Sequence, residues 1–334
     1  MRPLSGLYKE MLRAGHISST LLVISLTAST SAQSARLEAW RAGDADACFA
    51  KAERLYAQRH YAEAAAYYRK AALIRPDFPA AYSGVCVSLY DLDRPQEAVE
   101  ACLQAVRMQP VSPVARYNLG KVLQALGGQD EAEEQFERAV SLMPGYADAF
   151  YSLGAVLLEM GRNDEAVRAL EEATGLRPGD AEAYNKLGMA YYNLGRYEDA
   201  AASLERAVRL RPAFAEGYGN LGFAYSKAKR YEQALGAYRR ALELKPAYPE
   251  VHYEVAYILL ALGRYVEARQ ACERALQLKP DYALARQCLG LIYISLGRKE
   301  DALEQYQKLK SLDPDLASSL LRVIYKDKIV DARR

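Results

Sequence analysis

Prolines stand at Pro76, Pro110, Pro144, Pro178, Pro212, Pro246, Pro280 and Pro314, each 34 residues after the one before. Proline has no N–H to donate and its ring clashes with the preceding helical turn. It therefore ends a helix and pushes the residue before it towards extended geometry. A helix stop returning at a fixed period marks one supersecondary unit in eight copies. Such copies bury their apolar faces against one another, so the array lengthens without a new core, and 334 residues read as one array rather than two ordinary domains.

Counting back from each proline, taken as position 32, sets the repeats at 45–78, 79–112, 113–146, 147–180, 181–214, 215–248, 249–282 and 283–316. In the fifth copy Tyr184, Leu187, Gly188 and Tyr191 recur at helical spacing and form one face of a first helix. Gly195 ends it, because glycine enters left-handed geometry readily. Ala200, Leu204, Ala207 and Leu210 then mark a second helix that stops before Pro212. Each repeat thus reads as a helical hairpin. Position 20 is alanine in every copy, from Ala64 to Ala302, and position 8 is small throughout (Ala52, Cys86, Gly120, Gly154, Gly188, Gly222, Ala256, Gly290). Position 27 is alanine except at Leu309. Small side chains facing each other let two helix axes approach to about 8–10 Å.

An aromatic at position 4, Leu-Gly at 7 and 8, Tyr at 11, Ala at 20, an aromatic at 24, Ala at 27 and Pro at 32 together resemble the tetratricopeptide repeat (TPR). The likeness covers residues 45–316 and weakens at the ends, at Cys48 and Lys51 and at Arg286 and Leu309, where a repeat lacks one neighbour. It implies an all-α fold, a right-handed α-α superhelix (TPR solenoid) of eight helical hairpins, with first helices lining a concave groove. After it, residues 317–334 read as a capping helix, with Leu316, Leu320, Val323 and Ile324 as an apolar stripe and Arg322, Lys326 and Lys328 on the polar face.

The first 32 residues stand outside the repeat. Arg2, Lys9 and Arg13 precede an uncharged, mostly apolar run from Ile17 to Ala28, and Thr30-Ser31-Ala32 offers small residues before a cut. This order reads as a signal peptide or N-terminal leader, followed by a connector over 33–44, and predicts export. Without cleavage of that leader, the chain would be cytoplasmic. The five cysteines form no C-x-x-C pair and have no histidine at ligand spacing, so no metal site is expected. They read as buried free thiols, the alternative being a Cys272–Cys288 disulfide in an oxidising compartment.

Function follows by elimination. His16, His60 and His252 lie far apart, and there is no Walker loop, so neither catalytic residues nor a cofactor site emerges. A net charge of +2 gives no reason to expect nucleic acid. What remains is a non-enzymatic scaffold that binds a protein or extended peptide. The resemblance places the groove at positions 2, 5, 6, 9, 12 and 13. Those positions and their neighbours supply the aromatics Tyr117, Tyr151, Tyr192, Phe223, Tyr253 and Tyr257, the amides Asn118, Asn185, Asn193 and Asn220, and the acids Asp148, Glu182, Glu216 and Glu250. The acids also sit in first helical turns, where they offset the macrodipole by about 0.3–1 kcal/mol. Glu182, Glu216 and Glu250 in a row disfavour an acidic ligand and point to a basic or aromatic-rich segment. Only Asn118 and Asn220 hold position 6, so an asparagine ladder along a peptide is interrupted. The alternative function is a self-associating assembly or cell-envelope organising element, a homo-oligomer joined through its ends or convex face.

Overall fold

The structure is a computed structural model and describes residues 45–325. The expected leader, the connector and the last part of the expected capping helix lie outside the described residues. Two compact units divide the chain after Pro178.

The first unit holds four hairpins: α1 (Ala45–Ala57) with α2 (Tyr61–Ile74), α3 (Pro79–Asp91) with α4 (Pro95–Met108), α5 (Pro113–Ala125) with α6 (Gln129–Leu142), and α7 (Ala147–Glu159) with α8 (Asn163–Leu176). The second holds α9 (Ala181–Asn193) with α10 (Tyr197–Leu210), α11 (Ala215–Lys227) with α12 (Tyr231–Leu244), α13 (Pro249–Ala261) with α14 (Tyr265–Leu278), α15 (Ala283–Ser295) with α16 (Lys299–Leu309), and a final α17 (Pro314–Ile324). Within each unit, helices pack on their hairpin partner, and each second helix also packs on the first helix of the following hairpin. The described residues contain no strand.

The turns obey one rule. Position 15 has a positive φ in all eight copies, at Arg59, Asp93, Gly127, Gly161, Gly195, Lys229, Gly263 and Gly297. At the fifth turn the Arg196 N–H reaches back to the Tyr191 carbonyl at 2.9 Å, which closes the end of the helix. The arginine at position 16 grips an acid three residues on, as Arg162 does Glu165 and Arg264 does Glu267, each at 2.6 Å. The Gly-Arg pairs are therefore turn fasteners.

Position 20 is fully buried in every copy. Positions 8 and 24 are a lock and key inside the third to sixth hairpins. A Cβ added to Gly188 would sit 2.5 Å from Leu204 Cγ, and one added to Gly222 would sit 2.3 Å from the Tyr238 ring. In these hairpins a bulky residue at 24 occupies the space that a side chain at 8 would need. In the second repeat both positions are cysteine, and Cys86 and Cys102 are joined as a disulfide. This corrects the reading of all five cysteines as free thiols. The pair weighed as the alternative, Cys272 and Cys288, is free and buried, with the Cys272 thiol donating to the Ala285 carbonyl at 2.9 Å.

The end of the array departs from the expected pattern. Pro314 does not follow a helix but opens α17, at a position where its missing N–H costs nothing. The Asp313 carboxylate caps the same end, accepting from the N–H groups of Asp315 and Leu316. Ala317, Leu320 and Ile324 bury the helix against the last hairpin. Val323, expected in that stripe, faces outward, because the buried residues recur at spacings of three and four from Ala317.

Candidate binding face on the first helices

The site residues singled out from the sequence all lie on first helices: α5 and α7 in the first unit, and α9, α11 and α13 in the second. Their surroundings separate them into committed and uncommitted groups.

Asp148 and Glu182 are committed. Asp148 takes both guanidinium nitrogens of Arg177, at 2.7 and 2.9 Å, which holds its carboxyl below the usual carboxylate range. Glu182 pairs with one guanidinium nitrogen of Arg211, and Asp46 with Arg75 at 2.6 Å. Each pair joins positions 2 and 31 of one repeat. In the sixth and seventh repeats position 31 is lysine. Lys245 lies over the Tyr248 ring at 4.3 Å and Lys279 over the Tyr282 ring at 5.0 Å. Arginine has a fork that reaches a carboxylate while stacking on the ring beside it, whereas lysine has a single ammonium. Glu216 and Glu250 accordingly have no ion pair among the described residues.

In the first unit, the rest of the face is tied within and across repeats. The Tyr56 hydroxyl donates to Asp91, and the Tyr68 hydroxyl to Glu53. Gln124 donates to Glu159 at 3.3 Å, and Lys121 sits 4.2 Å over the Tyr90 ring. Tyr117 packs against Tyr146 and Phe136, with ring centroids 5.0 and 5.9 Å away, and burial pushes its hydroxyl pKa up. Asn118 and Tyr151 are half-buried on α5 and α7.

In the second unit the face holds a cavity. Met189, Tyr192, Asn193, Leu204, Asn220 and Phe223 line a cavity of about 270 Å³. Asn185 is only 1% exposed, and its carbonyl accepts from the Asn220 amide at 2.9 Å. It therefore orients Asn220 rather than meeting a ligand itself. Phe223 stacks edge-on against the buried Tyr238, centroids 5.6 Å apart. Tyr253 packs on Tyr282 at 5.3 Å, while Tyr257, 6.4 Å from Tyr253, stays 53% exposed.

One group on this face carried no role in the sequence reading. Glu254 holds position 6 of the seventh repeat, where it merely interrupts the asparagine series. In the preceding pair of repeats, position 5 (Asn185) bonds position 6 (Asn220). The corresponding pair is Gly219 and Glu254, and glycine has nothing to offer. Burial raises the Glu254 pKa, opposed only by the field of Lys227. The counter-signal was available: a carboxylate opposite a glycine has lost its neighbour.

Comparisons with known proteins agree on the fold. The family model for the cilia and flagella-associated protein 70 C-terminal domain, a TPR type, matches residues 110–318, well over half of the chain. A tetratricopeptide repeat model matches residues 49–113. No curated protein matches significantly. Among solved structures, the C-terminal part of a TPR repeat-containing protein from Cytophaga hutchinsonii is 22% identical with a TM-score of 0.58, covering 72% of this chain and 99% of that one. The APC/C hetero-tetramer Cut9–Hcn1 is 19% identical with a TM-score of 0.56, covering 84% of this chain and 55% of that one. YrrB, a TPR protein with an unusual peptide-binding site, is 24% identical with a TM-score of 0.49, covering 54% and 92%. Likenesses at this level show the fold alone.

Proposed function

The chain belongs to the tetratricopeptide repeat family, and on that premise we propose that it is a non-enzymatic scaffold holding a protein or extended peptide in the concave groove of its first helices. The observation that carries this reading is the open cavity between Met189 and Phe223, with Asn220 held ready by a buried Asn185. At about 270 Å³ it falls below the ~300–1,000 Å³ of pockets that enclose small-molecule ligands. It suits a single side chain, the way a peptide anchors itself. The unpaired Glu216 and Glu250 favour a basic or aromatic-rich segment over an acidic one, and neither nucleic acid nor a small-molecule substrate is its ligand.

The test is capture of a partner by the wild-type protein and by the Phe223→Ala, Tyr257→Ala double variant. The variant should lose capture while its helical circular dichroism stays unchanged. Retained capture would remove the groove from the reading. Self-association is the second reading, favoured by Val111 and Val114, 74% and 48% exposed beside the α4–α5 link. Sedimentation that stays monomeric into the high micromolar range would dismiss it.

Export belongs to the same proposal. The leader argues for it, and the Cys86–Cys102 disulfide supports an oxidising compartment. Sequencing the mature N-terminus decides the point: a start at Gln33 is expected, and an intact Met1 in the native protein counts against it.

A further inference from the structure

Resting on the groove reading above, we propose that the first-helix face of α9, α11 and α13 selects a partner segment carrying two side chains in succession: an apolar one for the Met189–Phe223 cavity and a lysine or arginine for Glu254.

Three observations meet at this place. The cavity walls are mainly apolar, with Met189, Leu204 and Phe223 surrounding the Asn220 amide. An apolar side chain entering it exchanges water for those walls. Beside it, Tyr192 lines the cavity and feels the charges of both Glu254 and Lys227, so the carboxylate stands next to the cavity, one repeat further on. Glu254 makes no hydrogen bond or ion pair among the described residues, and its neighbour in the register, Gly219, has no side chain to provide one. Beneath them the Tyr238 hydroxyl, on a fully buried side chain raised in pKa by burial and then by Glu254, likewise finds no hydrogen-bond partner among the described residues.

Buried polar groups in folded proteins are nearly always satisfied, and exceptions call for a reason. A partially desolvated carboxylate attracts a cation more strongly than one in open water, since the surrounding dielectric is lower. The balance of charge on these three helices points the same way. Glu182 is neutralised by Arg211, leaving Glu216, Glu250 and Glu254 against Lys186 and Lys227. Tyr253 and Tyr257 flank the carboxylates with ring faces that favour a cation over an anion. Successive helices lie about 10 Å apart. An extended chain advances about 3.3 Å per residue, so the two side chains belong about three residues apart.

The experiment uses the full chain and fluorescently labelled ten-residue peptides in a Gly/Ser background. One series carries Phe with Lys three residues on, a second Phe with Glu, and a third Ser with Lys. Anisotropy at low ionic strength should show the Phe/Lys peptide binding at least tenfold more tightly than either of the others. Glu254→Gln should erase most of the Lys-over-Glu preference while keeping the dependence on Phe. Glu254→Lys should reverse the preference, with circular dichroism confirming that both variants fold. Equal binding of the Lys and Glu peptides, lost in the Phe223→Ala, Tyr257→Ala variant, would overturn the selection of a cation and leave the groove standing. Binding that survives that double variant would overturn the groove itself. Failure of the wild-type protein to bind any peptide at millimolar concentration would overturn the two-side-chain proposal, with partner capture still deciding the groove.

Discussion

The two units use one repeat pattern to opposite ends. In the first, groove residues are consumed internally: Asp148 by Arg177, Tyr56 by Asp91, Gln124 by Glu159, Lys121 by Tyr90. A covalent bond between Cys86 and Cys102 fastens the second hairpin as well. In the second unit the same positions are left with less to do. Glu216, Glu250 and Glu254 have no ion-pair partner among the described residues, and Phe223 and Tyr257 meet solvent. The difference comes from a few substitutions on an unchanged backbone, such as lysine for arginine at position 31. Binding capacity in a repeat array is what remains after the repeats have satisfied themselves.

The largest test of this contrast is the disulfide. Replacing Cys86 and Cys102 by alanine frees a loop with a sequence separation of 16. A loop near 15 residues is worth about 3 kcal/mol. Hydrogen exchange read by mass spectrometry should show α3 and α4 losing protection while α9–α16 keep theirs. Equal losses in both units would show that they do not differ in stability as their chemistry implies.

A pH series isolates the strained carboxylate of the second unit. Burial raises the pKa of Glu254 above its unfolded value, so the folded state prefers the protonated form. The charged form therefore costs stability above the unfolded pKa, and the penalty vanishes once both states are protonated, below about pH 4. Glu254→Gln should raise Tm near neutral pH, with the gain shrinking as the pH falls. A gain that is constant with pH would mean that charge burial is not the cause.

The smallest effect on stability is expected from Lys245→Arg with Lys279→Arg, which supplies the second unit with the forks of the first. Exposed ion pairs contribute about 0.2–1 kcal/mol, so Tm should barely move. Binding of basic peptides should nevertheless weaken, because Glu216 and Glu250 become occupied. Undiminished binding would show that these two acids play no part.

The hairpins were readable from the sequence because proline spacing fixes register, and register assigns each residue a side. Ala200 at a helix crossing, Gly195 in a left-handed turn and the helical repeats themselves all follow from that one count. What escaped was pairing between positions. Arg177 and Asp148 lie 29 residues apart, far beyond any local spacing rule, and meet only because the second helix returns to the start of the first. Cys86 and Cys102 escaped for a different reason: each was read as a buried free thiol, although positions 8 and 24 face each other in the four hairpins that follow. Asn185 looked like a ligand-facing amide because burial depends on the neighbouring repeat. Val323 was misplaced because the buried seam of α17 runs through Ala317, Leu320 and Ile324 rather than through Leu316 and Val323.

The lock between positions 8 and 24 also governs how such a chain can change over generations. Gly222 tolerates no added carbon while Tyr238 fills the space beside it, and Gly188 is bound to Leu204 in the same manner. The glycine cannot grow alone. A lineage must alter both together, or inherit a whole hairpin by duplication or exchange with its fit already made. Recombination points falling between hairpins are then harmless, whereas one falling at a turn such as Gly195 separates key from lock. The hairpin, rather than the residue, becomes the unit of heredity, and the outward-facing positions are left free to diversify on it.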